Sequence, residues 1–478
     1  MNASLISLEL ATAGLSLLVL LADLWLPAEK RRALGYGAAA ALALIFVWSF
    51  RLDAATAQFA FEQTYVLDSL ALFFKRFFLL AAILVMLLSI EFSDRIPAGI
   101  SEFYSLQIFA LVGMMFAASA NDFTVLFVSL ELITVTFYVL VSFRRNRVRS
   151  LEAGVKFLIL GALSSAVLVY GIALVFGTSG TMNFGELLTK AAELQQNTIF
   201  LLGLLLVVIG LAFKIAAFPM QIWAPDVYEG APAPVTAFLA VGSKAAGFAL
   251  LLRLLFGALP HDIAAHWAKL IMVMAAVSIL YGGLCAIPQR SVKRIIGYSS
   301  IGNAGFILLG VVAMREAGYA AVLYFLTGYL FTILGAFAVI GLVTRQLDND
   351  DISVFAGLHQ RSPLLATTLT LSMVSLAGIP PLAGFFGKFL LFKAALEAGP
   401  AYYWLTFVAI AGVAISIWYY FGIVKAIYWA PAPADTTPIA VPLLVKISVA
   451  LCIAGMLFLG VYPSPALSWA VEAVKVLK

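Results

Sequence analysis

The sequence runs to 478 residues, 63% of them hydrophobic and 11% charged, with a mean hydropathy of +1.06. Soluble domains are about a quarter charged, so the composition excludes one and indicates a polytopic membrane protein. Two cysteines, Cys285 and Cys452, exclude a disulfide framework and a cysteine-ligated iron–sulfur cluster.

The three histidines (His261, His266, His359) fall near expected helix ends without metal-ligand spacing, so redox chemistry belongs on another polypeptide. The net charge of +5 sits in loops, as membrane topology requires, and implies no nucleic-acid partner. No cleaved leader is expected, because the first apolar stretch has spanning length and lacks a basic segment and a small-residue cleavage site.

Apolar runs of about 20 residues predict about fourteen spans. Their approximate limits are 4–26, 33–50, 66–90, 104–119, 122–143, 153–177, 197–219, 233–256, 265–285, 295–313, 317–344, 362–398, 403–429 and 441–461. The twelfth is too long for one straight helix, and Gly378, Pro380, Pro381 and Gly384 predict a break near its middle. The seventh ends in Pro219 and runs into Pro225, Pro232 and Pro234.

Two Pro/Gly-interrupted segments in corresponding positions point to repeated, discontinuous helices. Because they lie five spans apart, the two five-helix copies are expected upside down relative to each other. The expected fold is therefore all-α, with two inverted five-helix repeats and discontinuous helices 7 and 12. The organisation is helices 1–3 (about 1–103), a first repeat (about 104–256), a second repeat (about 265–429) and a last helix (about 441–478).

Basic residues mark one side. Lys30, Arg31 and Arg32 fill the first loop, and Arg144, Arg145, Arg147 and Arg149 the fifth; Arg290, Lys293 and Arg294 lie at the ninth, and Arg345 and Arg361 flank the eleventh. All these loops are odd-numbered, which predicts odd loops in the cytoplasm and both termini outside.

Ionisable residues inside oily stretches are the candidate functional groups, since a central lysine or carboxylate costs about 2.5–3.5 kcal/mol on insertion scales. Glu131 lies about nine residues into its span, roughly 13 Å deep. Its bland alternative is a packing hydrogen bond. Lys214 sits five residues before Pro219, where freed backbone admits water, and is the expected cationic partner of Glu131.

Lys244 lies near the midplane among Gly242, Ser243, Ala245, Ala246 and Gly247. Removing an ammonium from water favours its neutral form, so a lysine there can accept and release a proton. Lys388 follows the second break. Lys156 lies near the end of its span with Glu152 one turn before it, which also fits a plain interfacial pair. Lys393, Lys75, Arg253 and Lys425 read as interfacial anchors, and Glu9 and Asp23 as interfacially solvated.

Several strings carry a resemblance. "FKIAAFPMQIWAPDVYEGAPAPVTAFLAVGSKAAGFALLLR", "EAGVKFLILGALSSAVLVYG", "VKRIIGYSSIGNAGF" and "VSLAGIPPLAGFFGKFLLF" resemble the antiporter-like subunits of respiratory complex I. Pro225 to Pro232 in particular look like the subunit N (NuoN) type of NADH-quinone oxidoreductase.

The resemblance covers essentially the whole chain. It implies an ion pair of Glu131 with Lys214, a central proton carrier at Lys244, an exit-side lysine at Lys388 and an input-side lysine at Lys156. It also implies a prokaryotic inner-membrane complex whose NADH, FMN, iron–sulfur clusters and quinone bind other subunits, with M-type and K/J-type neighbours. Gln221 and Asn303 stand where many members have histidine; an amide can hold a water wire but takes no charge. Alternatives are a related cation/proton antiporter or membrane-bound hydrogenase, and a structural spacer whose charges serve packing.

Overall fold

The computed structural model describes residues 3–54, 56–96, 98–345, 349–431 and 437–477, without the side chains of residues 3, 28, 261, 262 and 264–266. The first three spans are α1 (Ser7–Asp23), α2 (Arg32–Ser49) and α3 (Ser69–Phe92). Between α2 and α3 a short antiparallel hairpin, β1 (Gln58–Ala60) with β2 (Tyr65–Leu67), pairs Gln58 with Leu67. The chain continues as α4 (Ile100–Ala118), α5 (Phe123–Val141), α6 (Val148–Ser179), a short amphipathic α7 (Phe184–Leu194) and α8 (Thr198–Ile215).

Several helix starts are set by short polar side chains that accept otherwise unpaired backbone N–H groups. Asp68 caps α3 through Ala71 N at 2.8 Å, Asp122 caps α5 through Val125 N at 2.9 Å, and Asn183 and Asn197 cap α7 and α8.

The expected breaks in spans seven and twelve are both present. α8 stops at Ile215, Ala216 takes a left-handed φ of 55°, and the chain resumes as α9 (Trp223–Gly230). The eighth span is itself irregular: α10 (Ala233–Phe238) passes through a π-helical turn at Leu239–Ser243 before α11 (Lys244–Gly257).

Three long helices follow: α12 (His261–Ala286), α13 (Val292–Val312) and α14 (Glu316–Val343). A one-turn α15 (Leu358–Arg361) precedes the twelfth span. That span is two half-helices, α16 (Pro363–Ala377) and α17 (Ala383–Glu397), with Gly378 at φ 83° between them. α18 (Tyr403–Trp429), α19 (Leu443–Val461) and a short α20 (Ser464–Val474) complete the chain.

Thirteen described helices are long and apolar enough to span a membrane, and the broken twelfth makes the fourteenth crossing. The eighth, tenth and eleventh spans form the buried centre, with the seventh and twelfth breaks packed against it. Sequence hydropathy did not show α7, α20 or the hairpin. All three lie at the end opposite the basic loops, where the hairpin docks on the α4–α5 turn through Val66 N to Ser119 O at 2.9 Å and Asn121 N to Thr64 O at 2.9 Å.

Candidate functional site: a lysine row across the membrane core

Lys214, Lys244 and Lys388 are each at most 6% exposed. Lys214 at the end of α8 donates to Thr134 Oγ1 of α5. Its neighbour is α11: a Cβ added at Gly247, three residues past Lys244, would sit 3.0 Å from Lys214 Cβ. Only glycine lets α8 and α11 approach this closely.

Lys244 Nζ donates to Ser300 O at 2.6 Å and to Ser300 Oγ, and lies 5.8 Å from the Tyr329 ring centroid. Ser300 Oγ is in turn 2.7 Å from the Tyr228 hydroxyl. On α13, Asn303 Nδ2 donates to Ser299 O at 2.9 Å and to Tyr420 Oη at 3.4 Å.

Six residues beyond Ser300, roughly 9 Å along the axis, Phe306 lies 4.5 Å below Lys388 Nζ. Lys388 Nζ donates to Leu376 O at 2.7 Å and Ala377 O at 3.4 Å, the carbonyls that the break at Gly378 leaves without helical partners. The helix break thus builds the polar site that holds the lysine. α13 runs from the second lysine to the third, carrying Ser299 and Ser300 at the Lys244 end, Asn303 between the two lysines, and the apolar Phe306 at the Lys388 end.

Glu131 and Lys214 do not form the expected ion pair: among the described residues no N–O contact within 4 Å joins them. Glu131 is half-buried and accepts from Ser165 of α6 at 2.5 Å, while Lys214 bonds one turn along α5. Thr134 is three residues from Glu131, about 4.5 Å of rise, and the Ser165 hydroxyl of α6 holds the carboxylate.

Lys156 keeps its pair with Glu152 at 2.7 Å and adds Asp226 at 2.8 Å. Asp226 also accepts from Arg294 at 2.5 Å, and Arg294 reaches Glu229 at 3.0 Å. The Pro225–Pro232 segment therefore presents its two carboxylates to cations from α6 and α13. Burial alone pushes the Asp226 carboxyl up, but its hydrogen bonds from Lys156 and Arg294 outweigh that and hold it below the usual carboxylate range. Gln221 is buried with Oε1 lacking a partner, whereas Asn303 lies between the second and third lysines.

Two residues read as anchors are not. Lys75 is wholly buried and pairs with Glu9 of α1 at 2.8 Å, with the Tyr65 hydroxyl 2.6 Å from Lys75 Nζ and 3.0 Å from Glu9 Oε1. Arg253 grips Asp68 with two bonds of 2.8 and 3.1 Å and donates to Ala118 O at 2.6 Å. A helical window sees only a charge near a span end; the partners are 66 and 185 residues away in the chain. Lys393, by contrast, is exposed beside Glu397 at 3.8 Å, as an anchor should be. Among the described residues no metal-binding cluster of His, Cys, Asp and Glu occurs.

A family model described as NADH:quinone oxidoreductase/Mrp antiporter, TM matches residues 120–416. NADH-quinone oxidoreductase subunit N of Desulforamulus reducens is 42% identical over 465 residues, covering 97% of this chain and 96% of that one. The chain belongs to the NADH-quinone oxidoreductase subunit N family.

The subunit N of Heliobacterium modesticaldum is 41% identical over the full length of both chains. A chain of respiratory complex I from Thermus thermophilus with bound aureothin superposes with a TM-score of 0.82 at 30% identity, covering 96% of this chain and 98% of its own. A chain of the Mrp complex from Dietzia sp. shares the fold, with a TM-score of 0.82 at 21% identity over 100% of this chain and 98% of its own. The family match spans both breaks and the four residues Glu131, Lys214, Lys244 and Lys388.

Proposed function

We propose that this chain is a proton-translocating membrane-arm subunit of a type I NADH:quinone oxidoreductase, and that Lys214, Lys244 and Lys388 carry its protons in that order. The observation that carries this reading is the row itself: three buried lysines, two at helix breaks and one after a π turn, with hydroxyl and amide groups of α13 between the last two.

An ammonium in such a place has few ways to be stabilised. Its protonation therefore responds strongly to a nearby charge. A unit charge about 8 Å away, at an effective dielectric near 20, is worth about 2 kcal/mol, or about 1.5 pKa units.

Glu131, at the edge of α5, supplies such a charge to Lys214 without touching it. A disturbance there passes to Lys244 across the Gly247 contact, and from Lys244 along α13 to Lys388. Lys156, in the Asp226–Glu229–Arg294 cluster, sits at the basic end, where protons enter. NADH, FMN, iron–sulfur clusters and quinone bind other subunits, and M-type and small K/J-type subunits are the neighbours. The membrane is a prokaryotic cytoplasmic one, with the basic end inside.

Lys244→Ala in the assembled complex, reconstituted in proteoliposomes, is expected to lose most proton translocation while NADH oxidation by an artificial acceptor persists. A wild-type proton-to-electron ratio in that variant overturns the carrier role. The matched family description also covers Mrp antiporters, so sodium-dependent proton exchange by the isolated assembly would favour that reading instead.

A further inference from the structure

Four charged residues outside the lysine row are buried together at the hairpin end: Glu9 and Lys75, Asp68 and Arg253, all at most 5% exposed. Buried ion pairs are poor devices for stability, because desolvation offsets their attraction, and their better attested use is to fix register. The geometry shows what is registered here. Asp68 caps the first turn of α3, and the same carboxylate takes two bonds from Arg253. Arg253 Nε meets Ala118 O, one of the carbonyls left unpaired at the end of α4. One guanidinium therefore locks α11 to the start of α3 and the end of α4.

α11 has reason to need a lock. Its first residue is Lys244, and the residues before it form the π turn Leu239–Ser243, in which one extra residue per turn loosens the axial register. Gly242 in that turn lies against Met114 of α4, where an added Cβ would come within 2.7 Å of the sulfur. α4 thus touches this span on both sides of Lys244, at Gly242 and at Arg253. Behind it, the Glu9–Lys75 pair with Tyr65 ties α1 and the hairpin to α3 and packs the support.

We propose that Asp68 and Arg253 are positioning residues for Lys244: they pin the outer half of α11 so that slack in the π turn is held at one register, with Lys244 Nζ on Ser300. Neither touches the lysine. The inference rests on the carrier reading of Lys244, but its structural part can be tested without it.

The test uses the whole complex carrying Asp68→Asn, which removes the charge and keeps the size. Amide exchange in residues 239–250 is expected to rise about tenfold, the loss of one charge-assisted hydrogen bond. The proton-to-electron ratio falls below wild type while NADH oxidation by an artificial acceptor is kept. Wild-type exchange together with a wild-type ratio overturns the proposal.

If Asp68→Asn does not assemble, Arg253→Lys keeps the charge but cannot make the two-bonded grip. It is expected to move both readouts in the same direction by less, and unchanged readouts there overturn the proposal equally. Should Lys244→Ala pump normally, the carrier reading falls, and the exchange measurement alone still decides whether the clamp holds the π turn.

Discussion

Asp226, on the short α9 at the basic end, joins Lys156 of α6 and Arg294 of α13, and its half-open position limits what the contact is worth. Solvent screens such a cluster, so Asp226→Asn is expected to destabilise the solubilised complex by only about 1 kcal/mol at neutral pH. The sign with pH follows from the lowered carboxyl: its contribution is complete above the ordinary value near 3.9 and fades as pH falls through the lower folded value. The melting-temperature gap between wild type and Asp226→Asn should stay constant from about pH 6 to 8 and close only below about pH 4. A gap that closes between pH 6 and 8 would show that another group controls the cluster.

At the same scale, the sequence exposes a charge but not its partner. Lys214, Lys244 and Lys388 were legible because a lysine in an apolar run is conspicuous in any fold. The bonds of Lys214 to Thr134 and of Glu131 to Ser165 were not, because helix spacing does not say which face of α5 meets α6 or α8. Lys75 and Arg253 escape the sequence for the same reason: each lies near a span end, and what buries it is remote in the chain, α1 and the hairpin for Lys75 and the ends of α3 and α4 for Arg253.

At the scale of elements, the two breaks are the parts most plainly written in the sequence, and at the second of them two glycines carry steric weight. Gly378 has φ 83°, and a Cβ on it would meet Lys388 Cδ at 2.9 Å. Gly378→Ala is therefore expected to cost about 1 kcal/mol from the left-handed backbone alone and to displace the lysine as well. Reduced pumping with preserved assembly is the expected result.

Gly384→Ala is harsher, since its Cβ would fall 1.8 Å from the Ser375 carbonyl oxygen, a backbone atom that no rotamer can move. Loss of the subunit from the purified complex is expected. Gly177→Ala, with nothing within 4 Å, serves as the control and should assemble and pump as wild type. Equal behaviour of all three variants in a thermal-shift and pumping assay would contradict the steric account. The π turn before Lys244, unlike the breaks, left no proline in the sequence to announce it, and it emerges only where α4 presses on Gly242.

For the whole molecule, the lysine row runs across the core between two chemically different ends, and the direction of transport depends on which end faces the cytoplasm. Arg144, Arg145, Arg147 and Arg149 share one end with Arg290, Arg294 and Arg345, while the hairpin, α7 and α20 lie at the other. Short basic loops are retained on the cytoplasmic side during insertion, and several loops agree here.

Exposed positions at each end allow a direct measurement in a Cys285→Ala background, the remaining Cys452 being buried. Asn146→Cys, in the exposed turn between α5 and α6, should resist a membrane-impermeant maleimide in intact cells and react in inverted vesicles. Glu193→Cys, exposed on α7, should do the reverse. The opposite pattern would turn the row around, make Lys388 the entry and Lys156 the exit, and place the Asp68–Arg253 clamp on the side from which protons arrive.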